Sequence, residues 1–175
     1  SQMGVGGCIW DWVDQSIYSY DAIKNNQLTK NGFPAYITGY DCPGPHQYNF
    51  VNNGLVNADR AWSAELDEVK RIYQWVGFDL NKDTHQVKLT NKYLDRNLNQ
   101  FYLKWTLLAD GKPVKDGIVK NLNCAAGGTE TVDLKYNPTA FAGKELFLNI
   151  GLYTKEATNW CDRDYPVAEF QQQLT

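Results

Sequence analysis

Gly6-Gly7-Cys8-Ile9-Trp10-Asp11-Trp12-Val13-Asp14-Gln15 puts an apolar run and a cluster of aromatic and acidic side chains into one short stretch. In an extended chain successive side chains alternate, so Ile9, Asp11 and Val13 point one way and Cys8, Trp10 and Trp12 the other. Two glycines followed by Ile, Trp and Val read as a buried strand over residues 8–13. At the end of such a strand the Trp10 ring can offer a flat face to the C–H side of a sugar, and Asp11 or Asp14 can accept hydroxyl hydrogen bonds. A core strand fits the same residues, its tryptophans only packing and its aspartates only capping the next segment. Residue chemistry alone leaves both readings open.

Downstream of this stretch, residues 16–31 mix tyrosines with Asn, Gln and Lys and lack an apolar period, which reads as a loop with at most one helical turn. Residues 36–50 are rich in Gly, Pro and aromatics and suit a structured loop. Asn52-Asn53-Gly54 carries the composition of a turn. Ser63 is placed to cap a helix over residues 65–76, with Glu65, Asp67 and Glu68 near its positive end and Lys70 and Arg71 further on. Leu66, Val69, Tyr73 and Val76 recur at spacings of three and four, the stripe of an amphipathic helix.

From Gly77 the period changes from 3.6 to 2, which marks a boundary between a first domain, residues 1–76, and a second, residues 77–175. Val87, Leu89, Phe101, Leu103, Trp105 and Leu107 alternate with polar residues. Asp110-Gly111 is a hairpin turn signal, followed by strands at 114–120, 131–136, 145–153 and 167–174, with Asn137-Pro138 and Ala142-Gly143 as punctuation. Six to eight such strands predict an immunoglobulin-like antiparallel β-sandwich. Trp105 lies in the alternating core pattern, Trp160 on a loop, and Arg163 between Asp162 and Asp164 in a surface charge cluster.

The 175 residues are 43% hydrophobic, enough for a real core, and the formal net charge of −3 is spread along the chain with no basic stripe. Nucleic acid is therefore excluded as an expected partner, and no apolar run approaches bilayer length, so a membrane is excluded too. Cys8, Cys42, Cys124 and Cys161 are far apart and in no metal-ligand spacing, which predicts free thiols; Cys42 with His46 is at most half a metal site. The opening Ser1-Gln2-Met3-Gly4 lacks the regions of a signal peptide, and a chain that begins just before an apolar strand reads as a segment of a longer one. The compartment, bacterial cytoplasm or periplasm, is left open.

Three blocks together, GGCIWDWVDQSI from Gly6, NFVNNGLVNADR from Asn49 and ELDEVKRIYQ from Glu65, resemble the large bacterial β-galactosidases of glycoside hydrolase family 2. In that family the blocks come in the same order, at the end of a (β/α)8 catalytic barrel and the start of the β-sandwich after it. The resemblance implies a mainly β chain: an immunoglobulin-like antiparallel sandwich preceded by a partial α/β, TIM-barrel-derived segment with one clear helix. It implies that Trp10 forms the hydrophobic platform for a β-galactoside, and that Phe50, through its carbonyl, and Asn53 contact the substrate side and help hold a sodium ion beside the sugar. Magnesium belongs to the parent enzyme, with no ligands identifiable here.

Retaining glycosidases need two carboxyl groups about 5 Å apart. In the resembled family both glutamates lie upstream of the WDW block, and Glu65, Glu68, Glu130, Glu145, Glu156 and Glu169 do not match them. Asp11 and Asp14, three apart on a strand, face opposite sides. The expectation is a fragment of a β-galactosidase, inactive alone, whose partners are the galactoside and the remainder of the barrel. Residues 1–64 are expected either to fold against the sandwich in a non-barrel arrangement or to pair with a second copy in a homo-oligomer. The alternative is a stand-alone, non-catalytic sandwich that binds carbohydrate or protein.

Overall fold

A computed structural model describes residues 6–27, 36–38, 44–48 and 50–175. Contacts divide the chain into two compact units, Ser1–Lys70 and Arg71–Thr175.

In the first unit, β1 (Ile17–Tyr18) pairs antiparallel with β2 (Tyr36–Ile37), and the rings of Tyr18 and Tyr36 stack with centroids 4.9 Å apart. Between them α1 (Tyr20–Lys24) makes little more than one turn. Its start is fixed by Ser19, whose side chain accepts from the Ala22 N–H at 3.2 Å, and its ends carry Asp21 and Lys24 in the favourable sense of the helix dipole. α2 (Ala64–Ile72) has Glu65 and Asp67 in its first turn and Leu66 buried.

Two expectations for this helix are corrected. Ser63 does not cap it through its side chain: the hydroxyl donates to the Leu55 carbonyl, while the Ser63 backbone carbonyl accepts from the Leu66 N–H at 3.2 Å. The helix also stops at Ile72, although the three-and-four spacing continues to Tyr73 and Val76. Val76 is paired with Asn91 and the Trp75 carbonyl accepts from the Lys92 N–H at 2.9 Å, so sheet pairing takes the chain where periodicity alone would prolong the helix.

The second unit is a sandwich of seven antiparallel strands. A three-stranded sheet has the order β3 (Val76–Asn81), β4 (Gln86–Asn91), β7 (Thr129–Asp133). A four-stranded sheet has the order β6 (Lys112–Val119), β5 (Phe101–Ala109), β8 (Leu146–Thr154), β9 (Pro166–Gln173). Every second residue of β5, namely Phe101, Leu103, Trp105, Leu107 and Ala109, is buried, and Leu146, Leu148, Ile150 and Leu152 alternate likewise on β8. All of these but Ala109 and Leu146 meet Val76, Val87, Leu89 and Val132 of the other sheet in one core. Each such aliphatic side chain taken out of water contributes about 1.5–3 kcal/mol. The arrangement is the predicted immunoglobulin-like sandwich.

The turns obey their residue chemistry. Asp110 and Gly111 link β5 to β6 with φ of 49° and 75°, both left-handed as a two-residue hairpin requires. β7 lies two residues earlier than expected and ends sooner, because the Asp133 carboxylate accepts from the Lys135 N–H at 3.0 Å and Lys135 has φ 51°, which turns the chain. Asn91, 1% exposed, ties three segments together: its amide donates to the carbonyls of Arg96 (2.8 Å), Cys124 (3.0 Å) and Ala125 (3.0 Å), and its oxygen accepts from the Tyr93 N–H (3.0 Å). No helix among the described residues is long and apolar enough to cross a membrane.

Candidate functional site

The first unit contains a parallel pairing that the sequence did not announce. Asp11 N–H donates to the Asn53 carbonyl (3.1 Å) and the Asp11 carbonyl accepts from Leu55 N–H (3.0 Å). One step on, Val56 N–H donates to the Trp12 carbonyl (3.0 Å) and Asp14 N–H to the Val56 carbonyl (2.9 Å), with Val13 and Val56 forming a parallel bridge. Parallel segments cannot be joined by a tight turn and need a long crossover, which residues 15–52 supply. Val56 then pairs antiparallel with Trp62 across a turn in which Arg60 has φ 68°.

Residues 8–13 are thus not the buried strand expected. Only Val13 makes a ladder bridge, and Ile9, Trp10 and Trp12 are exposed. The pairing starts beyond Trp10 and runs along one side only, so no apolar face of this stretch is covered among the described residues. Asn52-Asn53-Gly54 is likewise not a turn. Gly54 faces the opposite backbone so closely that a Cβ on it would lie 2.3 Å from Asp14 N and 2.5 Å from Val13 C. Glycine stands here for close approach of two main chains rather than for a left-handed φ.

Pairing brings the main chain of one candidate site residue to the neighbour of another. Asn53 is the direct backbone partner of Asp11, so it lies beside the residue that comes after Trp10. Phe50 precedes Val51, whose carbonyl accepts from the Gln15 N–H at 2.8 Å, and its own N–H donates to the Gln47 carbonyl at 3.0 Å. Trp10 is 77% exposed and Phe50 65%, large apolar surface for two residues in contact with water. The acids nearby have structural partners: Asp11 accepts from the Trp12 N–H at 3.1 Å and from the Gln15 side-chain amide, and Asp14 accepts from the Gly54 N–H at 2.8 Å.

The donor set suits a hard monovalent cation in kind. The Asn53 main-chain carbonyl is taken by Asp11, which leaves its side-chain oxygen, together with the Phe50 carbonyl, as neutral oxygen donors. Cys42 lies outside the described residues, so its pairing with His46 is not placed; the His46 Nδ1 accepts from the Tyr48 N–H at 3.0 Å. Cys8, Cys124 and Cys161 are free thiols. Trp105 is in the core at 4% exposure, while Trp160 is exposed on its loop and meets Tyr165 edge-on.

A parallel pair joined by a long crossover thus precedes an antiparallel sandwich in the chain. A family model described as glycosyl hydrolases family 2, TIM barrel domain matches residues 2–78, and one described as β-galactosidase, domain 4 matches residues 87–175, more than half of the chain. The chain belongs to this family of glycoside hydrolases. Among solved structures it is similar to the exo-chitosanase CsxA of Amycolatopsis orientalis, with 13% identity and a TM-score of 0.45 over 70% of this chain; it spans 14% of that chain.

Proposed function

We propose that the chain is part of a β-galactosidase that removes terminal β-D-galactosides by a retaining mechanism, with Trp10 as the apolar platform under the sugar and Phe50 and Asn53 holding a sodium ion at its edge. The observation that supports the reading is the main-chain hydrogen bond from Asp11 to Asn53, which pairs the residue after the exposed Trp10 with the residue whose amide would face ion and hydroxyl. The β-galactosidase description of the family model over residues 87–175 supports the choice of sugar. A sodium ion bound there would supply a positive centre for a sugar hydroxyl. The ring of Trp10 excludes water from the C–H face, and the amide of Asn53 orients the hydroxyl beside it.

A retaining reaction needs a nucleophile and an acid/base carboxyl about 5 Å apart. Asp11 and Asp14 are each occupied in holding main-chain N–H groups, so in this reading both catalytic glutamates, and the magnesium ligands, belong to other parts of the parent. The parent's barrel is the partner of residues 1–76. Three measurements test the proposal. The 175-residue chain should release no aglycone from an aryl β-galactoside, whereas the parent enzyme carrying Trp10→Ala should lose about a hundredfold in kcat/KM. Asn53→Ala in the parent should abolish the dependence of KM on sodium. Full activity in the Trp10→Ala parent would sink the assignment and favour the non-catalytic carbohydrate- or protein-binding sandwich.

A further inference from the structure

At one end of the sandwich the start of β5, the segment after β6 and the β8–β9 loop enclose a groove of about 400 Å³. Its apolar side is made by the Tyr102 ring and Ile118; its polar side carries Lys120, Asn121, Glu156 and Arg163. Among the described residues the side chains of Lys120, Asn121 and Glu156 make no hydrogen bond or ion pair. Nothing in the fold calls for them, since the core closes without them.

The loop that brings Arg163 to the groove is built rather than loose. Buried Thr154 donates its hydroxyl to the Asp162 carbonyl (2.9 Å), accepts there from Tyr165 N–H (3.0 Å), and accepts on its carbonyl from Asp164 N–H (3.0 Å). Asp164, with φ 64°, takes the Tyr102 hydroxyl at 3.0 Å. That bond uses the acid nearest the ring. Arg163 reaches Asp164 only through Nε, at 3.8 Å, so both Nη groups of its fork are left to a planar carboxylate. Lys155, on the same rim, spends its ammonium on the neutral carbonyl of Asn99 at 2.7 Å and stays a positive charge.

Three cations thus converge, one acid is already engaged, and a single free acid opposes them. This local sign is opposite to the chain's net charge of −3. We propose that the groove is a second saccharide site, selective for a sugar bearing a carboxylate: Arg163 and Lys120 take the carboxylate, Asn121 and Glu156 the hydroxyls, and Tyr102 with Ile118 the C–H face. The sugar class rests on membership of a glycoside hydrolase family, and not on the galactoside reading of Trp10.

The test is a two-dimensional NMR titration of the 175-residue chain with digalacturonate and, separately, with neutral galactobiose. Digalacturonate should shift amides at 118–121 and 155–164, with an affinity that falls as salt rises and drops about tenfold in Arg163→Gln. Galactobiose should leave those amides in place. Arg163 is well exposed, so the variant keeps its fold, and Lys120→Gln provides an independent loss. The groove signals should persist in Trp10→Ala, which separates this site from the galactoside site. Equal shifts with the neutral disaccharide, no shifts at all, or unchanged affinity in both variants would overturn the proposal.

Discussion

The Asp14 carboxylate accepts the Gly54 N–H at 2.8 Å across forty positions of sequence, and a Cβ on Gly54 would lie 2.3 Å from Asp14 N. One residue pair therefore fixes both the distance and the direction of the parallel pairing that carries Asn53 to Asp11.

Gly54→Ala should force the two main chains apart, at a cost of about 1–3 kcal/mol or more, since the atoms in the way are backbone and cannot rotate aside. Hydrogen exchange at the N–H groups of Asp14, Leu55 and Val56 should speed up together. Asp14→Ala should act in the same direction and more weakly than Gly54→Ala at Val56, because it removes one charge-assisted bond and leaves the ladder. Unchanged protection in Gly54→Ala would show that the close approach is absent in solution.

Gly117 faces Trp105 across the β5–β6 register, and a Cβ there would come within 2.6 Å of the indole. Gly117→Ala should push the ring from its place in the core, lowering stability by about 1–3 kcal/mol and shifting the tryptophan emission to the red. An unaltered urea midpoint would contradict this.

Asn91→Ala takes the side-chain donor from three carbonyls; Cys124 and Ala125 keep the N–H groups of Leu98 and Gly128, and the Arg96 carbonyl and the Tyr93 N–H lose their partner. At about 1–3 kcal/mol for a buried group left unsatisfied, discounted for relaxation, the loss should be roughly 1–3 kcal/mol and the fall in Tm roughly 5–10 °C, read by calorimetry. Asn91→Asp should be worse, because a carboxylate would face the same three oxygens.

The Glu145 N–H and the Lys144 ammonium, at 3.1 and 3.2 Å, hold the Asp110 carboxyl below the ordinary value of 3.8. A folded-state pKa depressed in this way gives stability that is fully present above 3.8 and is lost as pH falls through the lower, folded value. The urea midpoint difference between the protein and Asp110→Asn should therefore shrink as the solution is taken from about pH 6 to about pH 2. A difference that grew with acid would show the sign to be wrong. Asn keeps the oxygen that accepts from Glu145 and tolerates the left-handed φ of 49°, so the variant still forms its turn.

The sandwich was legible because its information is local. Phe101, Leu103, Trp105 and Leu107 alternate within one strand, and Asp110-Gly111 states its own turn. Where meaning depends on a distant partner, the sequence misled. Gly54 after two asparagines has the same composition whether it turns or lets a neighbour in, and that neighbour is forty residues away. Tyr73 and Val76 continue a helical spacing that only pairing with Asn91 interrupts. The placement of Asn53 beside Asp11 could be expected from the family resemblance but not from spacing. The groove at Tyr102 and Arg163 had no signal at all, since it draws on three segments with no common period.

The parallel pairing also sets an order of events. The β3–β4 hairpin closes over the few residues 82–85, whereas Asp14 and Gly54 must find each other over forty. Loop closure over the longer span costs about 2 kcal/mol more in chain entropy. The sandwich can therefore gather itself from neighbouring hairpins while the stretch that carries Trp10 is still searching for its partner.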